Sequence, residues 1–211
     1  KQIIFISSGA VYGRGPLYEE ERFGKVSLPI DERTLTAPRG LYAVYKSTIE
    51  HTTVVFKTVH GIKPSTSLRP GSGAGLGQLL GYRCYDDDGV LTGEIKRLLK
   101  GEKVVLKLAP EITLVDGRDL GIACDLVINK GLHEGAEIFD WYIAVNTPIS
   151  AQEFAGIVKE VFGEVPLEIE SVNPGRLSSN RMLMELGYKP RGSAATLRDH
   201  LNDLAGKLGV R

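Results

Sequence analysis

Cysteine is scarce in this 211-residue chain, with only Cys84 and Cys124 present. They share no C-x-x-C spacing and no clustered histidines, so nothing has the layout of a structural zinc site, and no metal is expected. Two isolated thiols fit a reducing cytoplasm, where most cysteines are small buried apolar residues. Net charge is lacking too. Lys plus Arg number 26 and Asp plus Glu number 26, which gives no electrostatic reason to expect nucleic acid or an anionic membrane as partner. No run of about 18 apolar residues occurs, so no membrane span is expected. No signal-peptide pattern is visible either, and a cytoplasmic protein is expected. The chain opens at Lys1 without Met and runs at once into the apolar "QIIFIS", which reads as a start in the middle of a domain.

What is present is ordinary for a globular protein: 42% hydrophobic and 25% charged residues. The length is enough for one substantial core and a small second lobe. Residues 2–7 form a nearly continuous apolar run, the pattern of a parallel strand covered on both faces. Residues 13–40 are rich in Gly, Pro and charge and read as a long loop. Residues 41–60 predict a helix from apolar residues at helical spacing, stopped by Gly61. A strand ending at Pro70, a Gly-rich stretch over 71–81 and a helix over 88–100 follow. "KVVLKLA", "ITLVD" and "AEIFDWYIAV" are strand candidates, with a helix over 117–129 between the last two. Ser150 and Glu153 form a capping box for a helix that Gly163 ends. "VPLEIESV" is a short strand, Ser178 or Ser179 opens a helix ended by Gly187, and a last helix covers about 196–208. Strands alternating with helices predict an α/β fold with a parallel sheet.

Tyr42 and Lys46 stand four apart on the first predicted helix, so they share one face with Cβ atoms roughly 5–6 Å apart. A free phenol has a pKa of about 10, too high for a good general base near neutrality, and a neighbouring ammonium favours the phenolate. Such a pair suits proton exchange with a substrate hydroxyl or carbonyl. Tyr45 is adjacent to Lys46 and points to a different face. Ser8 ends the first strand, and ligands of open α/β sheets bind at the carboxyl ends of strands. The simpler role for Ser7 and Ser8 is to cap the strand and satisfy the following turn.

Taken together, "SSGAVYG", a long loop, P-x-x-x-Y-x-x-x-K on a helix and "LRPG" closely resemble the extended short-chain dehydrogenase/reductase family, the NAD-dependent epimerase/dehydratase group. The resemblance continues through "LVDGRDLGIA", "NTPISAQEFAGIVKEVFG" and "LMELGYKP" and covers nearly the whole chain. It implies a Rossmann-like parallel sheet (its second half) with a small C-terminal α/β substrate-binding lobe. Residues 1–70 would be the remainder of the dinucleotide-binding domain, and 71–211 a mixed region with return segments to the sheet. It implies that Ser8, Tyr42 and Lys46 are catalytic, and that Ser7, Tyr42, Lys46, Arg69 and Pro70 lie against NAD or NADP. Ser8, Gly9 and Ser72 would touch substrate. Asp119 matches an acidic residue that is usually structural, and His51, His60, His133 and His200 match nothing catalytic.

Departures from the family pattern narrow the expectation. The Gly-rich G-x-x-G-x-x-G turn that cradles a cofactor pyrophosphate does not occur, so the adenosine and pyrophosphate sites are not encoded in these residues. Gly9 and Ala10 replace the Asp-Glu pair of the family's dehydratases. The position of the Arg that clamps a substrate diphosphate in nucleotide-sugar epimerases falls at about Ile112, which cannot pair a diphosphate. The expectation is an NAD(P)-dependent oxidoreductase or epimerase acting on a sugar or nucleotide-sugar hydroxyl or carbonyl. The alternatives are a reductase of a non-nucleotide ketone and a non-catalytic truncated module of the family. The expected partner is a small-molecule substrate, with homodimerisation left open.

Overall fold

The computed structural model of the chain describes residues 1–13, 15, 29–71, 79–80, 90–171 and 178–210. Ser72, Cys84, half of the predicted loop and most of the Gly-rich stretch lie outside the described residues. The chain divides into two interleaved units. The first takes Lys1–Ser72, Arg118–Val145 and Ser178–Lys189; the second takes Gly73–Gly117, Asn146–Leu177 and Pro190–Arg211.

The first unit is built on a three-stranded parallel sheet, β1 (Ile3–Ile6), β2 (Ser65–Pro70) and β7 (Trp141–Ala144), with β2 central. Its long helix, α1 (Leu41–Thr58), packs on β1 and β2. A single-turn 3-10 segment, Gly9–Tyr12, follows β1. Helices α3 (Gly117–Ile128) and α5 (Arg181–Glu185) complete it. The second unit pairs β4 (Val104–Leu108) with β9 (Leu167–Ser171) in parallel, and β5 (Glu111–Ile112) with β8 (Ile149–Ser150) antiparallel. Two short strands, β3 (Leu79–Leu80) and β6 (Val115–Asp116), also pair in parallel. Helices α2 (Val90–Leu99), α4 (Ala151–Phe162) and α6 (Ser193–Leu208) close its core. In β4, Val104, Leu106 and Leu108 point inward with Ile95, Phe154, Ile157, Leu197 and Leu201. The Ser150 half of the expected capping box forms, with Ser150 Oγ accepting the Glu153 N–H at 3.0 Å, and Gly163 ends α4 at φ +76°.

Several elements differ from the sequence reading. "AEIFDWYIAV" yields only the four residues of β7, and "ITLVD" splits into β5 and β6. The last helix starts at Ser193 rather than near 196. The helix expected from Ser178 or Ser179 begins at Arg181, with Ser179 Oγ accepting the Arg181 N–H at 3.2 Å at its entry.

The larger difference is in α1. Its apolar periodicity is real but faces outward. Leu41 is 89% exposed, Tyr45 61% and Val59 70%, with Val55 also exposed. Thr48 and Thr52 continue this exposed stripe, and their hydroxyls bond back to the carbonyls of Val44 and Thr48. The buried residues of α1 are Ala43, Glu50 and Thr53. Polar side chains therefore fasten the helix to its sheet. Ser65 Oγ donates to the Thr53 carbonyl at 2.7 Å, Thr53 Oγ1 meets Ser67 Oγ at 3.1 Å, and Lys57 Nζ donates to the Ile138 carbonyl at 2.7 Å.

Among the described residues, β1 pairs only with β2, and its "IIFI" carries no proline or charge to protect the other edge. With the apolar stripe on α1, this predicts that the isolated 211-residue chain self-associates. Sedimentation velocity over a micromolar concentration series should show the average mass rising. A monomer throughout, with the outward-facing amides of Ile4 and Ile6 exchanging freely, contradicts the prediction.

Candidate active site

The chain leaves β1 at Ile6 and enters Ser7 and Ser8 at the carboxyl end of the sheet. The Ser7 N–H donates to the Leu68 carbonyl at 2.7 Å, so the strand's ladder runs to its last residue. The Ser7 side chain is buried, and its Oγ has no hydrogen-bond partner among the described residues. Ser8 has extended backbone and caps the 3-10 turn, its Oγ accepting the Ala10 N–H at 3.1 Å. The capping role and a ligand-facing role are compatible, since a hydroxyl that accepts one bond still has its own proton to donate. Gly9 is buried inside that turn.

Lys46 Nζ donates to the Ile6 carbonyl at 2.8 Å and lies 4.9 Å from the centre of the Phe5 ring. The ammonium is thereby fixed at the end of β1, one residue short of Ser7, using one of its three donors. Tyr42 stands one turn earlier on the same helix, its ring centre 5.7 Å from Lys46 Nζ, and is 59% exposed. Tyr45 makes no approach to Lys46 of this kind among the described residues. Gly40, at φ +86°, turns the chain into the helix at this end, a conformation that favours glycine. Ser7, Ser8, Gly9, Tyr42 and Lys46 thus belong to one end of the first unit, and Ser72 lies outside the described residues.

Arg69 and Pro70 end β2, beside Ile143 and Ala144 of β7. The Arg69 side chain is engaged inside the protein. It is buried, with Nε and Nη2 donating to the two carboxylate oxygens of Glu50 at 2.8 and 2.7 Å, and Nη1 donating to the Tyr12 hydroxyl at 2.9 Å. The guanidinium is 4.9 Å from the Tyr12 ring centre and 4.7 Å from that of Trp141. Burial alone would lower the pKa of Arg69. The bonds and charges of Glu50 and Tyr12 outweigh it and hold the group above its usual value. Burial likewise raises the Tyr12 phenol, against the pull of Arg69. What Arg69 offers a ligand is therefore its place at the strand end.

Glu50, Tyr12, Trp141 and Glu32 were not singled out in the sequence. Glu50 had a signal: positions 42, 46 and 50 repeat every four residues, so a third polar group continues the Tyr42–Lys46 face. Glu32 had none. Its Oε1 accepts the Ile143 N–H at 2.9 Å, its carbonyl accepts from Trp141 Nε1 at 3.0 Å, and burial pushes its carboxyl above the usual range.

Similarity to solved structures can be set beside this geometry. No family model and no curated protein matches the sequence. A Thermus thermophilus UDP-glucose 4-epimerase structure in complex with NAD matches over 98% of this chain at a TM-score of 0.68 and 23% identity. The chain has the fold of the UDP-sugar 4-epimerases. A Bacillus cereus UDP-glucuronic acid 4-epimerase in complex with NAD aligns at a TM-score of 0.73, 17% identity and 99% of this chain. RMD from Pseudomonas aeruginosa, complexed with NADPH, aligns at 0.66 and 23% identity over 98%. The epimerase fold is a Rossmann-like α/β fold, as the resemblance implied. The chain spans 64% of the Thermus thermophilus protein's length and 62% of the Bacillus cereus protein's.

The residues present suit the nicotinamide end of such a cofactor: a buried Ser7 hydroxyl without a partner among the described residues, a fixed ammonium and an exposed phenol. Among the described residues, no group of three or more His, Cys, Asp or Glu is placed to hold a metal ion. No helix there is long and apolar enough to cross a membrane.

Proposed function

We propose that these residues carry the proton-transfer half of an NAD(P)-dependent oxidoreductase or epimerase acting on a hydroxyl or carbonyl of a sugar or nucleotide sugar. The observation that supports it most is the Lys46 ammonium pinned to the Ile6 carbonyl, next to the strand end that carries Ser7 and Ser8, with Tyr42 one helical turn away. A bound nicotinamide supplies the acceptor or donor of hydride. The chain's own residues handle the proton. Tyr42, as phenolate, takes the proton from the substrate hydroxyl while the carbon–hydrogen bond breaks and a carbonyl forms. In the return direction the phenol gives that proton back to the oxygen. Ser8 donates a hydrogen bond to the same oxygen and fixes its direction, and Lys46 holds its ammonium beside the Tyr42 ring. Ser7, Arg69 and Pro70 would contribute the wall at the strand ends on the cofactor side, and Gly9 and Ser72 would lie on the substrate side.

A second possibility rests on Ile112. It is buried in the core of the second unit, at about the position where nucleotide-sugar epimerases carry the diphosphate-clamping Arg. That favours a non-nucleotide ketone as substrate. The two are separated by assaying the natural full-length protein. The first expects NAD-dependent interconversion of UDP-glucose and UDP-galactose, or of another UDP-sugar with its 4-epimer. The second expects NADPH consumption with simple ketones and no epimerisation. No turnover with either class, in protein shown to bind NAD(P), would leave a non-catalytic module of this fold.

A further inference from the structure

The buried guanidinium of Arg69 joins three pieces of chain: the 3-10 turn, α1 and β2. On one side it holds Tyr12, the last residue of the 3-10 turn whose first residue is capped by Ser8. On another it holds Glu50, two turns along α1 from Tyr42 and on the same face. It is itself part of the central strand β2, next to Pro70. Ser8 and Tyr42 are thus set on two arms whose far ends are clamped to one rigid, planar group. An ion pair so buried is a poor source of net stability, because desolvation offsets most of its attraction. Its bidentate geometry does fix direction and distance. Tyr12 also accepts the Ala37 N–H on its carbonyl at 3.1 Å, so this end of the turn is held by backbone and side chain alike.

We propose that Arg69 is a positioning residue, which through Tyr12 and Glu50 sets the placement of Ser8 relative to Tyr42 and Lys46. The inference rests on the function proposed above for Ser8 and Tyr42, but its first test does not.

Tyr12→Phe removes only the oxygen that Arg69 Nη1 reaches and keeps the ring against which the guanidinium lies. Hydrogen exchange on the 211-residue chain should show the amides of Ala10, Val11 and Gly13 exchanging about tenfold faster or more, with α1 and the second unit unchanged. Unchanged exchange in the turn overturns the proposal. So does equal acceleration everywhere, which marks a merely structural contact. Arg69→Lys is the second variant. An ammonium cannot reproduce the planar fork that spans Glu50 and Tyr12, so the same local change is expected.

Kinetics in the natural full-length protein give the second readout. Tyr12→Phe should lower kcat about tenfold with KM changed less than about twofold, and should cost less than about twofold when Ser8 is already Ala. Losses that simply multiply in the double variant overturn the proposal. Undiminished turnover in both Tyr42→Phe and Ser8→Ala instead removes the functional assignment, whatever Tyr12→Phe does to exchange.

Discussion

Tyr42→Phe should lower turnover of the natural full-length protein at least about a hundredfold, the usual loss when a general acid–base group is removed. Tyr45→Phe should leave turnover within about threefold, by the same scale. The difference is geometric. Tyr42 shares a helix face with Lys46, whose Nζ lies 5.7 Å from its ring centre and is held by the Ile6 carbonyl. Tyr45 belongs to the exposed stripe with Leu41 and Val59, and its ring makes no comparable approach to Lys46 among the described residues. Steady-state kinetics on both variants, with circular dichroism to confirm folding, is the check. Near wild-type turnover in Tyr42→Phe with loss in Tyr45→Phe reverses the assignment.

Glu50→Ala is expected to be the most destabilising single change on α1. It strips both acceptors from a guanidinium that is 2% exposed and leaves a buried charge uncompensated, a change that costs about 3–5 kcal/mol. Set against a typical total stability of roughly 5–15 kcal/mol, that is enough to unfold much of the first unit at moderate temperature. Denaturant unfolding should show the loss as an earlier midpoint. The double variant Glu50→Leu with Arg69→Met, which removes both charges, should recover most of it, because paired replacement by apolar groups of similar size is often neutral. Equal loss in the single and double variants would mean that packing, not the stranded charge, is responsible.

The sequence made some of this site readable and hid the rest for physical reasons. The ends of β1 and β2, the helix carrying Tyr42 and Lys46, and the Ser150 cap all follow from local rules: apolar runs, four-residue spacing, short-range capping bonds. The orientation of α1 does not. Its apolar residues look like a core stripe, yet the sheet-facing side is Lys46, Glu50, Thr53 and Lys57, each satisfied by a group from 14 to 81 residues away in the chain. No short-range pattern records partners that distant. Arg69 is similar. In "LRPG" it reads as a residue at a strand end, and only the fold shows its fork filled by Glu50 and Tyr12. Length is the third blind spot: β7 keeps four residues of a ten-residue apolar segment because its pairing with β2 runs only from Trp141 to Ala144.

The interleaving of the two units constrains how this protein can be made and cut. The first unit needs Ser178–Lys189, and the second needs Pro190–Arg211 after segments beginning at Gly73. During synthesis neither is complete until nearly the whole chain has left the ribosome, so both depend on contacts of long sequence separation, the slow class in folding. No single proteolytic cut can release either unit whole. Limited digestion should therefore give nicked protein that stays together until denatured, and a stop codon before residue 178 should cost both units at once.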